Sequence, residues 1–151
     1  MNKTASKSLR QDPADKAQWL RTRPGEYCLI RECSEDTNGL YAVLEIVSSP
    51  GDGTPLHLHS KEDEHFLVLE GSVRIAYGDK IFDLQAGEVA SLRRGIPHAW
   101  GNRTKADLRM VILVSPGGCE EALRILAGNN DVDLRALGEP FHIELLGPTP
   151  F

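Results

Sequence analysis

Three histidines and a glutamate are the residues of this 151-residue chain best suited to chemistry. His57 and His59 are separated by one residue, and side chains two apart along an extended strand share a face, so both imidazoles can reach one ion. Four residues then separate His59 from Glu64, which is room for a turn into a neighbouring strand that returns a carboxylate to the same place. A third imidazole, His98, stands thirty-nine residues after His59, on a segment entered through Gly95. Three neutral imidazoles and one carboxylate are a donor set for a divalent first-row transition metal, with one or two positions left open for water or substrate. Calcium and magnesium want oxygen ligands and suit it poorly. Glu64 is the candidate catalytic residue as well as a ligand, since a carboxylate at the site can detach and serve as base. Glu62 and Asp63 precede it in an acidic run, and a slipped register would put one of them at the ion instead. His65 has the opposite strand parity and belongs outside, whereas His142 lies in the tail and reads as structural.

The elements that must carry these side chains are short and extended. Tyr27 to Arg31 and Leu40 to Val47 are rich in aliphatic, aromatic and β-branched residues, and turn-formers bound them. The loop from Ser48 to Pro55 delivers the chain into the His-x-His strand. Strands at His65–Glu70, Ser72–Tyr77, Lys80–Leu84, Val89–Leu92, His98–Asn102 and Leu108–Val114 follow, and Gly78-Asp79 makes a two-residue hairpin connection. About nine strands with turns every 6 to 12 residues predict an all-β sandwich or barrel. Asp12-Pro13 reads as the cap of a short helix over Ala14 to Leu20, and Glu120–Ala127 and Asp131–Leu137 as two more helices packing outside the sheets. The expected organisation is a tail and helix over 1–24, a β-barrel over 25–116 and a helical extension over 117–151. Inward parity makes Phe66, Tyr77 and Met110 barrel filling or pocket wall, and Trp100 shares the face of His98, where it can stack a planar ligand or simply pack. Arg93 and Arg94 at the corner before His98 are solvated or greet an anionic substrate.

Bulk composition narrows the partners. A formal charge of -5 argues against a nucleic-acid surface, which needs clustered Lys and Arg. No apolar run approaches the ~20 residues of a membrane span, so no membrane role is expected. The first eleven residues carry Lys3, Lys7 and Arg10 with no apolar segment behind them, unlike a signal peptide, and three cysteines without a Cys-x-x-Cys pair fit a reducing compartment. A cytoplasmic location is the expectation.

The spacing Gly51, His57, His59, Glu64, Gly71 resembles the first conserved motif of the cupin superfamily, and Gly95, His98, Asn102 resembles the second half of its second motif. That resemblance implies a jelly-roll barrel, the double-stranded β-helix, flanked by short helices at its N- and C-terminal ends, with His57, His59, Glu64 and His98 as metal ligands. One position departs from the pattern: Arg93 stands where proline is usual. Ser115 to Leu123 and Ile143 to Pro148 are similar to the tail of small bacterial cupins resembling quercetin dioxygenases. The implied activity is a metal-dependent oxygenase, holding iron or else manganese, nickel, copper or zinc, and acting on a small planar or enolisable substrate. A non-catalytic binding or sensory cupin and a cupin isomerase or epimerase remain alternatives. A homodimer is expected, both by resemblance and because an open jelly roll exposes strand edges.

Overall fold

The computed structural model describes residues 18–151. Among the described residues eleven strands form two antiparallel sheets: β1 (Leu20–Arg23), β2 (Glu26–Glu32), β3 (Ala42–Ser48), β4 (Leu56–His59), β5 (Asp63–Glu70), β6 (Ser72–Tyr77), β7 (Lys80–Gln85), β8 (Val89–Leu92), β9 (His98–Gly101), β10 (Leu108–Ser115) and β11 (Ile143–Gly147). One sheet runs β1-β2-β3-β10-β5-β8 and the other β11-β4-β9-β6-β7. This is the expected jelly-roll barrel with few helices. Alternation along the strands supplies the core: on β10, Leu108, Met110, Ile112 and Val114 point inward, and they meet Phe66 and Val68 of β5 and Leu44 and Ile46 of β3.

Turn chemistry fixes the connections that matter for the site. The β6–β7 hairpin closes on Gly78-Asp79, with Gly78 at φ 59 and Tyr77 opposite Lys80. Gly71, last of the first motif's positions, sits at φ 81, and a Cβ there would come within 2.6 Å of the Asp107 carbonyl oxygen, so no larger residue fits. The corner before β9 is tied to the site directly, because the Gly95 N–H donates to the carbonyl of His59 at 2.8 Å.

Three segments depart from expectation. The helix read over Ala14–Leu20 falls mostly outside the described residues, and Leu20 itself opens β1, which pairs with β2. Leu-Arg-Thr-Arg has no apolar alternation, so only its pairing reveals it as a strand. In the C-terminal segment α1 (Glu120–Gly128) and α2 (Leu134–Gly138) do form. They lie across the open end of the barrel instead of against its outer faces, with α1 packed on β1. The chain then returns as β11, an unexpected edge strand paired with β4. No helix of the described residues is long and apolar enough to cross a membrane.

Candidate metal centre

Strand pairing builds the cluster from both sheets. His57 and His59 project from β4, and His98 is the direct cross-strand partner of His57 on β9. Glu64 comes from β5 in the opposite sheet, so the four donors meet across the barrel and lie within 4.8 Å of one another. The imidazole centroids are 4.5 to 5.4 Å apart. His59, Glu64 and His98 are buried and His57 is half-buried.

Every ring is turned the same way by its far nitrogen. His57 donates Nδ1–H to the Pro55 carbonyl at 2.7 Å, and His98 donates Nδ1–H to the Ile96 carbonyl at 3.1 Å. Carbonyls only accept, so the proton of each neutral ring sits on Nδ1 and the lone pair of Nε2 faces the cluster. His59 is held differently: its Nδ1 faces the Glu62 carboxylate at 3.2 Å. On the inner side, His98 Nε2 lies 2.8 Å from Glu64 Oε2, and His59 Nε2 lies 3.5 Å from Glu64 Oε1. The His98 Nε2 atom is buried and makes no well-formed hydrogen bond among the described residues. A neutral ring in this tautomer sets a lone pair against a carboxylate, a contact that only a proton or a cation between them relieves. The residues therefore fit a divalent metal bound by three Nε2 atoms and Glu64, each imidazole oriented by an oxygen behind it.

The electrostatics follow from that crowding. Burial alone would push the Glu64 carboxyl up, but His59, the closely placed His98 and His57 more than offset it and hold it well below the usual carboxylate range. Burial, with His98 and His59 adding to it, pushes His57 down to about 4. Burial works against His59 as well, yet Glu64 and Glu62 outweigh it and its pKa is raised.

The cluster forms the floor of a cavity of about 400 Å³. Leu44, Ile46, Ile112, Val114 and Trp100 line its barrel side, and Ala122, Leu123, Leu126, Leu134 and Leu137 from the two helices roof it. His57, His59 and Glu64 face this space, while His98 sits behind them. Of the four pocket residues expected from parity, Trp100 lines the cavity, fixed by Thr54, whose Oγ1 accepts from the Trp100 backbone N–H at 3.0 Å. Phe66 and Met110 do not line it. They face inward at deeper levels, Phe66 next below Glu64 on β5 and Met110 opposite Val68, and fill the closed part of the barrel. Tyr77 also packs on the core, and its phenol oxygen accepts from the Arg93 N–H at 3.2 Å, which turns it to the corner before β9.

The neighbouring residues sort themselves by partner. Asp63 pairs with Arg94 and Arg93, and the Arg94 side chain and N–H hold its carboxyl down at about 2. It is not the site's carboxylate, and neither arginine lines the cavity. His65 points away from the cluster and meets Ser91 at 2.8 Å. His142 sits at φ 58 beyond a short turn, its carbonyl accepting from the Ser60 N–H. Two roles went unread in the sequence. Glu62, read as part of an acidic run and as a substitute carboxylate at the ion, instead stands behind His59 at Nδ1. Thr22, Arg23 and Glu26, which also line the cavity, lie in a stretch with no recognisable motif.

The geometry can be set beside known proteins. Residues 44–114 match the family described as Cupin domain, a span that contains all four donors. That stretch is a cupin domain. Its sequence is 30% identical over 64 residues to quercetin 2,3-dioxygenase of Bacillus subtilis (strain 168), covering 42% of this chain and 19% of that protein. It is also 32% identical over 69 residues to mannose-1-phosphate guanylyltransferase 2 of Escherichia coli O157:H7, covering 46% of this chain and 14% of that protein. The cupin thus spans less than a fifth of the length of either relative. Among solved structures, KdgF from Halomonas sp. shares the fold at a TM-score of 0.62 and 16% identity, over 69% of this chain and 90% of that one. Solved structures of the same fold also include an oxalate decarboxylase, a sugar phosphate isomerase and a polyketide cyclase, so the fold leaves the chemistry to be argued from the site.

Proposed function

We propose that this cupin is a metal-dependent oxygenase acting on a small planar or enolisable molecule. One observation carries the reading: the three-histidine, one-glutamate cluster faces a cavity whose walls and roof are mostly apolar, apart from an edge at Thr22, Arg23 and Glu26. A divalent metal, when bound, would supply a Lewis-acidic point for a substrate oxygen and for dioxygen. The protein's own residues do the rest. His57, His59 and His98 hold the three nitrogen positions. Glu64, ionised at neutral pH, completes the set and takes the proton of a substrate enol or hydroxyl. Leu123, Leu126, Leu134 and Leu137 shut water out above the substrate. Sugar isomerisation is a poorer match, because a sugar needs many polar partners and this wall offers few.

Oxygen consumption tests the reading. Protein loaded in turn with iron, manganese and nickel is given a panel of flavonols and β-diketones; uptake with at least one substrate is expected, and loss of that uptake in His57→Ala. No uptake with any combination overturns it. A small molecule held through native mass spectrometry without turnover would instead mark a binding module.

A further inference from the structure

The cavity has one polar edge that the metal cluster does not account for. Thr22 and Glu26 are buried and, with Arg23, line the cavity on the side of β1 and β2. Thr22 donates its hydroxyl to Glu26 Oε1, and Arg23 Nη2 donates to Glu26 Oε2 at 2.5 Å. Asp52 grips the same guanidinium at Nε, 2.9 Å, and at Nη2, 3.1 Å, and is itself held by Ser48 Oγ at 2.6 Å. The guanidinium lies 5.2 Å from the ring centroid of Trp100. Among the described residues nothing accepts from Arg23 Nη1. Apolar residues often replace a buried ion pair without loss of stability, so stability is a weak explanation for this edge.

Its position and charge define what it can read. Trp100 stands two residues beyond His98 on β9, roughly 7 Å along a strand, and Arg23 caps its ring. The polar edge and the metal cluster thus line one cavity, with Trp100, two strand positions from His98 and under Arg23, between them. One guanidinium faces two carboxylates, leaving no positive surplus for a carboxylate or phosphate ligand. A neutral group that both donates and accepts is the complement of a Glu26 oxygen beside an Arg23 N–H.

Resting on the oxygenase reading of the cavity, we propose that Arg23 and Glu26 form its second recognition point, selecting planar substrates that carry a neutral hydroxyl about one ring away from the oxygen directed at the metal. The hydroxyl donates to Glu26 and accepts from Arg23, while the ring lies along Trp100.

Binding of three probes to zinc-loaded protein, followed by calorimetry, separates the outcomes: 1-phenyl-1,3-butanedione, its 4-hydroxyphenyl analogue and its 4-methoxyphenyl analogue. A hydrogen bond to a charged partner is worth about tenfold or more in affinity. The hydroxy probe should bind at least tenfold tighter than the parent, and the methoxy probe, which cannot donate, no tighter than the parent. In Glu26→Gln the ratio of hydroxy to parent affinity should fall below threefold. Equal binding of hydroxy and parent probes by the wild-type protein overturns the second recognition point and leaves the oxygenase reading standing. Failure of all three to bind overturns both. The wild-type comparison needs no variant to fold, and thermal unfolding of the metal-free variant checks Glu26→Gln.

Discussion

Glu62 offers the sharpest test of how the metal site is held. Two of the three imidazoles are oriented by backbone carbonyls, which side-chain mutation leaves in place, and only His59 depends on a side chain. The His59 and Glu62 side chains are 5% and 7% exposed, so water does not readily replace the contact. A buried hydrogen bond to a carboxylate contributes about 1.5–3 kcal/mol. Lost from the partner of a ligating histidine, that corresponds to roughly 10- to 100-fold in metal affinity. Glu62→Ala should therefore weaken zinc binding by roughly 10- to 100-fold. Glu62→Gln keeps a neutral acceptor for Nδ1–H and should fall between the variant and the wild type. Asp63→Asn is the control, because Asp63 pairs with Arg94 and touches no ligand. Titration of metal-free protein against a chromophoric chelator measures the affinities, and thermal unfolding of the same samples shows that each variant is folded. A folded Glu62→Ala protein whose zinc affinity lies within twofold of wild type would refute the idea that this carboxylate orients His59.

Two further outcomes follow from burial and charge. In chelator-treated protein the ring signals of His57 should titrate near pH 4 and those of His59 above 6.5 in proton NMR. His57 binds less proton folded than unfolded, so its share of stability declines as pH falls from 6.5 towards 4; the raised pKa of His59 acts in reverse, its share present below 6.5 and lost as pH climbs through the raised value. A His57 signal that titrates above pH 6 contradicts the burial argument. Phe66→Ala, at a position 1% exposed in the barrel core, should cost about 3–5 kcal/mol in chemical denaturation and leave zinc affinity within a few-fold, since Phe66 lies below the cavity; a tenfold loss of affinity would put it in the site.

Different features of the molecule are written at different ranges in the chain. The ligands were legible because strand parity is local: His57 and His59 share a face by alternation, and His98 declares itself by standing opposite on a segment of the same kind. The hairpin at Gly78-Asp79 was legible for the same reason. Parity fixes the face a side chain takes and not its depth, which is why Phe66, Met110 and Trp100 looked equivalent and only Trp100 meets the cavity. The strands β1 and β11 were missed because β1 has no apolar alternation and β11 is a five-residue segment in the tail, and each exists through a partner, β2 for one and β4 for the other.

That difference in range also separates the metal from the substrate. The four donors fall between residues 57 and 98, on strands whose register the core enforces. The cavity above them is made by segments that lie at the two ends of the described chain: Thr22, Arg23 and Glu26 on one side, and Leu123 to Leu145 on the other. Those segments meet over the barrel mouth only because α1 packs on β1 and β11 adds to β4. Changes in the terminal segments can reshape the space a substrate sees while His57, His59, Glu64 and His98 stay as they are. One metal floor can thus serve several chemistries. The residues that choose among them in this cupin are to be sought at Arg23, Glu26 and the inner face of α1, outside the stretch that marks the chain as a cupin.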